Sequence, residues 1–558
     1  MKKFYVIFFS LILIVLVQRC SFAIDSNNII DIKVENKVIK QINSNQSFVG
    51  VNLFNDCEIN NLFINNPEHL DYLAKVLKDL NIDILRYPSG IMVTSTFWDV
   101  PNTEMREALR KLPKFEQGWL TLSGLRKDDR MDFLPFMEFC KKHNFKATVQ
   151  VNVHNYFDKQ KKEIIMLKQY KRDPYTDKRL WATGVINWEI VKLAAKNAAE
   201  QVKFVKDNGY HNNVQYWEMG NEDFNKQWLN CNYTASEYAK VSAIFIREMR
   251  KIDPNIKIII TNMVRPDDYK HMPSWLNIKT DNDWSKEVIN NPELKKYKSN
   301  IYAISNHIYP DGNWVNITKE TPFEKYRQNI LYNENLDVKK RINFHEQMLK
   351  SSGYNPARIF INEFNCNQFE NQNSHSWLGA LGVAKMVLSC SDATACEHMD
   401  FHVLLHYYKG INIGYGMLHY ASGFDFPFIT YPSGYVLGFL NKNIKGDVLK
   451  VSFTPQTVYS SAYLNGNNIK VMVLNLGEDR QFKLSFSGFV PLTYLNNESI
   501  GTNIPETFKV MDSDDKMQNP QEVRLINTLN NAIKIEEKKD FYLIKTPENT
   551  LSVFTFKK

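Results

Sequence analysis

The chain has 558 residues, 44% of them hydrophobic and 13% aromatic, with 23% charged and a mean hydropathy of −0.39. These values exclude a disordered tail, a multi-span membrane protein and a small disulfide scaffold, because such a chain buries a large core while its average residue stays polar. The net charge of +8 comes from 69 basic and 61 acidic residues without a Lys/Arg run, so no nucleic-acid partner is expected.

The first residues have the pattern of a secretory signal. Lys2 and Lys3 precede the apolar run Phe4 to Val17, whose 14 residues fit a signal core and fall short of the ~20 that a membrane-spanning helix needs. Ser21 and Ala23 are the small residues that place cleavage after Ala23, so 1–23 reads as a signal peptide and the mature chain as secreted, periplasmic or extracellular. A lipid anchor on Cys20 is the alternative, and the bulky Arg19 before it argues against that. Cys57, Cys140, Cys231, Cys366, Cys390 and Cys396 follow. Their even number permits disulfides without pairing them. None has a C-x-x-C or Cys/His zinc spacing, so neither a metal nor a cofactor is expected.

Residues 24–45 contain a strand-like stretch, Ile29 to Ile39, placed to join a sheet formed by the far end of the chain. Between 46 and 443, short β-branched runs alternate with amphipathic helical stretches. Eight runs read as strands: Phe48–Leu53, Ile82–Arg86, Ala147–Asn152, Val214–Glu218, Ile256–Ile260, Ile301–Ser305, Ile359–Glu363 and Phe401–Leu405. Helical patterns intervene at Glu68–Leu80, Phe133–His143, Trp188–Asn208, Ala235–Ile252 and Leu378–Ser389. Eight strands in a repeated strand–helix order predict an α/β fold, a (β/α)8 TIM barrel. A doubly wound sheet would want a Gly-rich turn after the first strand, and none is there. From 444 to 558 closely spaced strands with Asn/Gly turns, such as Ile469–Leu474 and Ser552–Phe556, predict an antiparallel β-sandwich domain. The polar stretch Asn503–Gln521 reads as a loop within it.

Two strand ends carry the chemistry. Trp217-Glu218-Met219-Gly220-Asn221-Glu222 closes the fourth strand and Phe360-Ile361-Asn362-Glu363 the seventh. A barrel gathers the C-terminal ends of its strands on one rim, so Glu222 and Glu363 face each other there although far apart in sequence. Opposed carboxylates are what glycoside hydrolysis uses: one protonates the leaving oxygen while the other attacks or stabilises the sugar carbon. A separation of about 5–5.5 Å would make the reaction retaining.

These strand ends, with Leu85-Arg86-Tyr87-Pro88-Ser89-Gly90 after strand two and His307-Ile308-Tyr309 after strand six, resemble the clan A glycoside hydrolases, above all the family-51 α-L-arabinofuranosidases with their barrel and C-terminal sandwich. The resemblance implies a poly- or oligosaccharide substrate, with Glu222 as general acid/base and Glu363 as nucleophile. Asn221 would bond the hydroxyl beside the reacting carbon, Arg86 would hold Glu363 ionised, and His307 and Tyr309 would line the reacting subsite. The sequence departs from that family where a sugar-binding Glu usually follows strand one and Pro-Gly-Gly-Asn follows strand two; here the stretches are Asn52-Leu53-Phe54-Asn55 and Pro88-Ser89-Gly90-Ile91. The catalytic pair thus matches that family more fully than the sugar-reading residues do.

Blander readings stand beside these. Arg86 is either the partner of Glu363 or a counter-charge for Asp83; Glu218 points into the barrel as a neutralised structural group; His307 and Tyr309 either meet substrate or pack under a loop. His398 and His402 have an i, i+4 spacing but lack the Glu of a zinc helix. A carbohydrate-binding surface protein on an inactive barrel is the second functional class, and it would require the loss of a carboxylate. All ten Trp lie between Trp98 and Trp377, eight of them in segments that follow barrel strands, which suggests an aromatic platform for sugar on the rim.

Overall fold

The computed structural model describes residues 29–53, 67–111, 131–172, 179–224, 233–262, 284–309, 325, 328, 330, 338–366, 376–405, 416–420, 428–453, 458–477, 479–501, 527–528 and 532–558. The signal segment, the stretch 503–521, Cys57 and Cys231 lie outside them, as do large parts of the segments that follow the barrel strands.

Eight parallel strands close into a barrel: Val49–Asn52, Ile84–Tyr87, Lys146–Val151, Val214–Met219, Ile258–Thr261, Ile301–Ile308, Ile359–Phe364 and Cys396–Phe401. Helices pack outside, their apolar faces turned to the strands. Trp188–Asp207 buries Val191, Ala194, Ala195, Ala198, Val202 and Val205 at helical spacing, and Asn187 caps its start by accepting from the Ile190 N–H. Ala235–Ile252 begins with a capping box between Thr234 and Glu237. No helix among the described residues is long and apolar enough to cross a membrane.

The eighth strand corrects the expectation of Phe401–Leu405: it runs from Cys396 to Phe401. Its polar letters are the reason. His398 and Asp400 face each other at 2.9 Å, both buried, so the strand hides polar groups where an apolar run would be sought. Gly50 on the neighbouring first strand makes the room, because a Cβ there would meet the Asp400 carboxylate and the His398 ring.

Ten further strands form a sheet whose faces enclose a separate apolar core of Ile32, Val34, Val471, Phe482, Phe554 and their neighbours, and three two-stranded ribbons make up the rest of the described strands. Ile30–Ile42 lies inside this sheet, antiparallel to Gly446–Phe453 and parallel to Arg480–Ser487. Bulges between Glu35 and Lys40 bend it. All other pairs in the sheet are antiparallel. Barrel and sandwich are bonded together: Lys40 donates to the Ala393 and Cys396 carbonyls at 2.8 Å, and Trp377 Nε1 donates to the Asn549 carbonyl at 2.7 Å.

Candidate active site

The site is built around one arginine. Arg86, on the second barrel strand, is fully buried and uses its whole donor fork. Nε and Nη2 clasp Glu218 at 2.6 and 3.0 Å, Nη1 donates to Glu363 Oε1 at 2.9 Å and to Asn52 Oδ1 at 2.7 Å, and Nη2 also donates to Asn221 Oδ1 at 2.9 Å. Five N–H groups thus meet five bonds, an arrangement that only a planar guanidinium supplies. Asp83 instead accepts from the Ser47 backbone N–H, so the counter-charge reading of Arg86 is replaced by the Glu218 and Glu363 pairing. Glu218 is the buried structural carboxylate of the set.

Glu363 arrives from the seventh strand. A register shift after Asn306 sets it directly beside His307 of the sixth strand. Its Oε2 accepts from the Tyr309 hydroxyl at 3.2 Å and lies 3.4 Å from His307 Nδ1. Burial alone would push this carboxyl up, but His307, His402 and Arg86 outweigh it and hold the group at about 2. Glu363 is therefore a carboxylate at any neutral or mildly acid pH.

Glu222 reaches the rim differently. Gly220 and Glu222 both have positive φ, +75° and +47°, so the backbone coils left-handed on either side of Asn221. A Cβ on Gly220 would run into the Asp223 carboxylate, which makes glycine necessary there. At Glu222 the same conformation is strained for a side-chain-bearing residue, a cost of order 1 kcal/mol that concentrates at functional positions. Glu222 Oε1 meets His307 Nδ1 at 2.9 Å, and its side chain is 18% exposed, against 8% for Glu363. His307 lies between the two acids. Burial lowers its pKa, yet Glu363 and Glu222 prevail and raise it.

All six residues singled out from the sequence converge here: Glu222, Glu363, Asn221, Arg86, His307 and Tyr309. Asn221 spends Oδ1 on Arg86 and on Gln150 Nε2 at 3.3 Å, which leaves its amide nitrogen outside these two bonds. Three further residues belong to the site without their part in it being legible from the sequence, where Asn52 and His402 stand out for other reasons. Asn52 accepts from Arg86 and Ser89 and donates to the Asn362 carbonyl, so it braces the arginine rather than meeting sugar. Gln150 supports Asn221, and His402 adds positive charge near Glu363. Each stands at a strand end, and that position was their only signal.

Glu222, His307 and Glu363 bring three ligand-type atoms within 4.8 Å of one another. As a metal site this cluster is poor, because Glu363 already meets Arg86, Tyr309 and His307, and a dication would sit against the guanidinium. As an acid–base pair it is well matched: one carboxylate fixed in its charged form, a second with access to the rim, and an imidazole between.

Three of the tryptophans that follow barrel strands take a packing role. Trp284 and Trp377 are buried and donate to the Tyr233 and Asn549 carbonyls. Trp98 donates to Asn197 and packs on Phe133 and Phe204. These three serve packing; Trp119, Trp228, Trp275 and Trp314 lie outside the described residues.

No protein-family model matches the chain. Over 232 residues, 41% of the chain, it is 22% identical to the intracellular exo-α-(1→5)-L-arabinofuranosidase of Acetivibrio thermocellus, and the match spans 39% of that enzyme's length. Among solved structures it superposes on the α-L-arabinofuranosidase of Thermotoga maritima with a TM-score of 0.61 at 14% identity, covering 95% of this chain and 100% of that one. The family-51 arabinofuranosidase of Xanthomonas axonopodis pv. citri gives a TM-score of 0.64 at 12% identity, with 95% and 100% covered. In barrel, sandwich and the joining of the two, the chain has the fold of the family-51 α-L-arabinofuranosidases.

Proposed function

We propose that this chain is an exported, retaining glycoside hydrolase that cleaves an oligo- or polysaccharide by double displacement, with α-L-arabinofuranosides as its first substrate class. The observation that carries the reading is the pair Glu222 and Glu363, with oxygens within 4.8 Å of each other and opposite environments. That spacing suits attack by a carboxylate rather than by an interposed water, for which the two groups would stand about 6.5–9.5 Å apart.

In the first step Glu363, kept ionised by Arg86, attacks the anomeric carbon while Glu222 gives its proton to the departing oxygen. The glycosidic bond breaks and a glycosyl ester forms. In the second step Glu222, now a carboxylate, takes a proton from water, whose oxygen displaces Glu363 and restores it. Asn221 bonds the hydroxyl next to the reacting carbon, and His307 and Tyr309 keep the two acids in place. The arabinofuranosidase relatives support the sugar. Export rests on the pattern of residues 1–23, and the mature chain should begin at Ile24.

The test is a panel of nitrophenyl glycosides, arabinofuranoside and xyloside included, offered to the wild type and to Glu363→Ala. Wild-type activity that falls by about 10⁴-fold or more in the variant is expected. Equal rates would overturn the nucleophile assignment, and retention should appear as an unchanged anomeric configuration in the first product formed.

A further inference from the structure

Beside the acid–base pair lies a cavity that the reaction steps do not use. It sits between the Asn155–Asp158 hairpin, the Thr96–Trp98 segment and the helix Trp188–Asp207, and its wall includes the amides of Gln150, Asn155 and Asn197. No carboxylate, ammonium, guanidinium or imidazole lines it, so its occupant is neutral. Two of the lining residues carry a carbonyl oxygen that is buried without a hydrogen-bond partner, Gln150 Oε1 and Asn155 Oδ1, in residues only 4% and 2% exposed. Such oxygens call for a donor. The partly open space, about 30 Å³ as seen by a water-sized sphere, has room for two water molecules at ~15 Å³ each.

The far end of Gln150 gives the cavity its meaning. Nε2 donates to the Gly220 carbonyl at 3.2 Å and to Asn221 Oδ1 at 3.3 Å, on the left-handed turn that carries Glu222. Asn155 is anchored from the other side, donating to the Thr94 carbonyl at 2.7 Å. We infer that the cavity is a built water site whose two resident waters donate to Gln150 Oε1 and Asn155 Oδ1, and that Gln150 is a positioning residue for Asn221. The inference rests on the proposed role of Asn221 toward the neighbouring hydroxyl. Water fixes the carbonyl end of Gln150, the amide end then has one orientation, and Asn221 keeps its own N–H₂ for that hydroxyl.

Two measurements test this. A high-resolution crystal structure of the wild-type protein should show two water peaks within hydrogen-bonding distance of Gln150 Oε1 and Asn155 Oδ1; a dry cavity, or density for an organic molecule, overturns the water site. Kinetically, Gln150→Leu, and independently Ala198→Leu, which fills the cavity, should lower kcat about tenfold with little change in KM on nitrophenyl arabinofuranoside. Neither should alter the rate on the 2-deoxy analogue, which has no hydroxyl for Asn221 to hold. Equal losses on both substrates, or no loss on either, would refute the positioning role, since a merely structural defect does not distinguish them. A wild type that cleaves no glycoside would instead refute the proposed function and leave the two waters standing.

Discussion

The two strand ends that meet at the rim treat the same side chain in opposite ways. At the seventh strand Glu363 lies near the end of a fully buried run and is clasped by Arg86, Tyr309 and His307. At the fourth, Glu222 stands on a left-handed turn, more exposed, and the imidazole it shares with Glu363 is its close ionic contact. A nucleophile needs a fixed charge and a fixed position, whereas an acid/base must change charge twice in each turnover. Rigidity therefore belongs to the strand and access to the turn.

The sharpest way to break this contrast is to remove the exposed member. Glu222→Ala should lose about 10²- to 10⁴-fold on glycosides with poor leaving groups, much less on activated ones, with azide restoring turnover as a glycosyl azide. If both substrate types fall equally and azide does nothing, Glu222 has another task.

A gentler change weakens the clasp. Arg86→Lys keeps a charge but forfeits the fork that reaches Glu218, Glu363, Asn52 and Asn221 together. With the charge no longer bonded to the carboxylate the Glu363 carboxyl should rise from about 2, so the acid limb of kcat/KM moves to higher pH, together with about a 10²-fold loss at the optimum. An acid limb that stays in place would show that His307 and His402 alone keep Glu363 ionised.

The smallest effect is on stability. A depressed carboxyl contributes stability above its unfolded value of about 4.3 and loses it as pH falls toward 2. His307, raised, contributes below its unfolded value of about 6.5 and loses that contribution as pH climbs through its folded one. The melting temperatures of wild type and Glu363→Gln should therefore differ by a few degrees near pH 5–6 and converge as the pH drops to 2. A gap that persists at pH 2 would mean that packing, not charge, sets it.

Much of the barrel was legible because its strands are apolar runs between helices of 3.6-residue period; Phe133–His143 and Ala235–Ile252 have the bounds that periodicity indicates. The eighth strand was misplaced because the barrel hides the His398–Asp400 pair inside a segment whose letters look like a loop. At the site, Glu222 and Glu363 were readable from their strand ends. The shared bonding of Arg86 was not, since its four partner residues come from three separate strand regions that no local pattern links. Nor was the strain at Glu222, which depends on Gly220 closing over Asp223.

The strand Ile30–Ile42 has a consequence for the order of events in synthesis. Its neighbours in the sheet are Gly446–Phe453 and Arg480–Ser487, which are made after the whole barrel. Leaving a ribosome, this segment emerges well before the strands it pairs with. The barrel between them can form meanwhile, and Lys40, whose ammonium ends on the Ala393 and Cys396 carbonyls, fastens the waiting strand to it. Completion of the sandwich thus closes a ring through the whole polypeptide, so that a chain cut short before residue 446 leaves an apolar β-edge uncovered and open to aggregation or proteolysis.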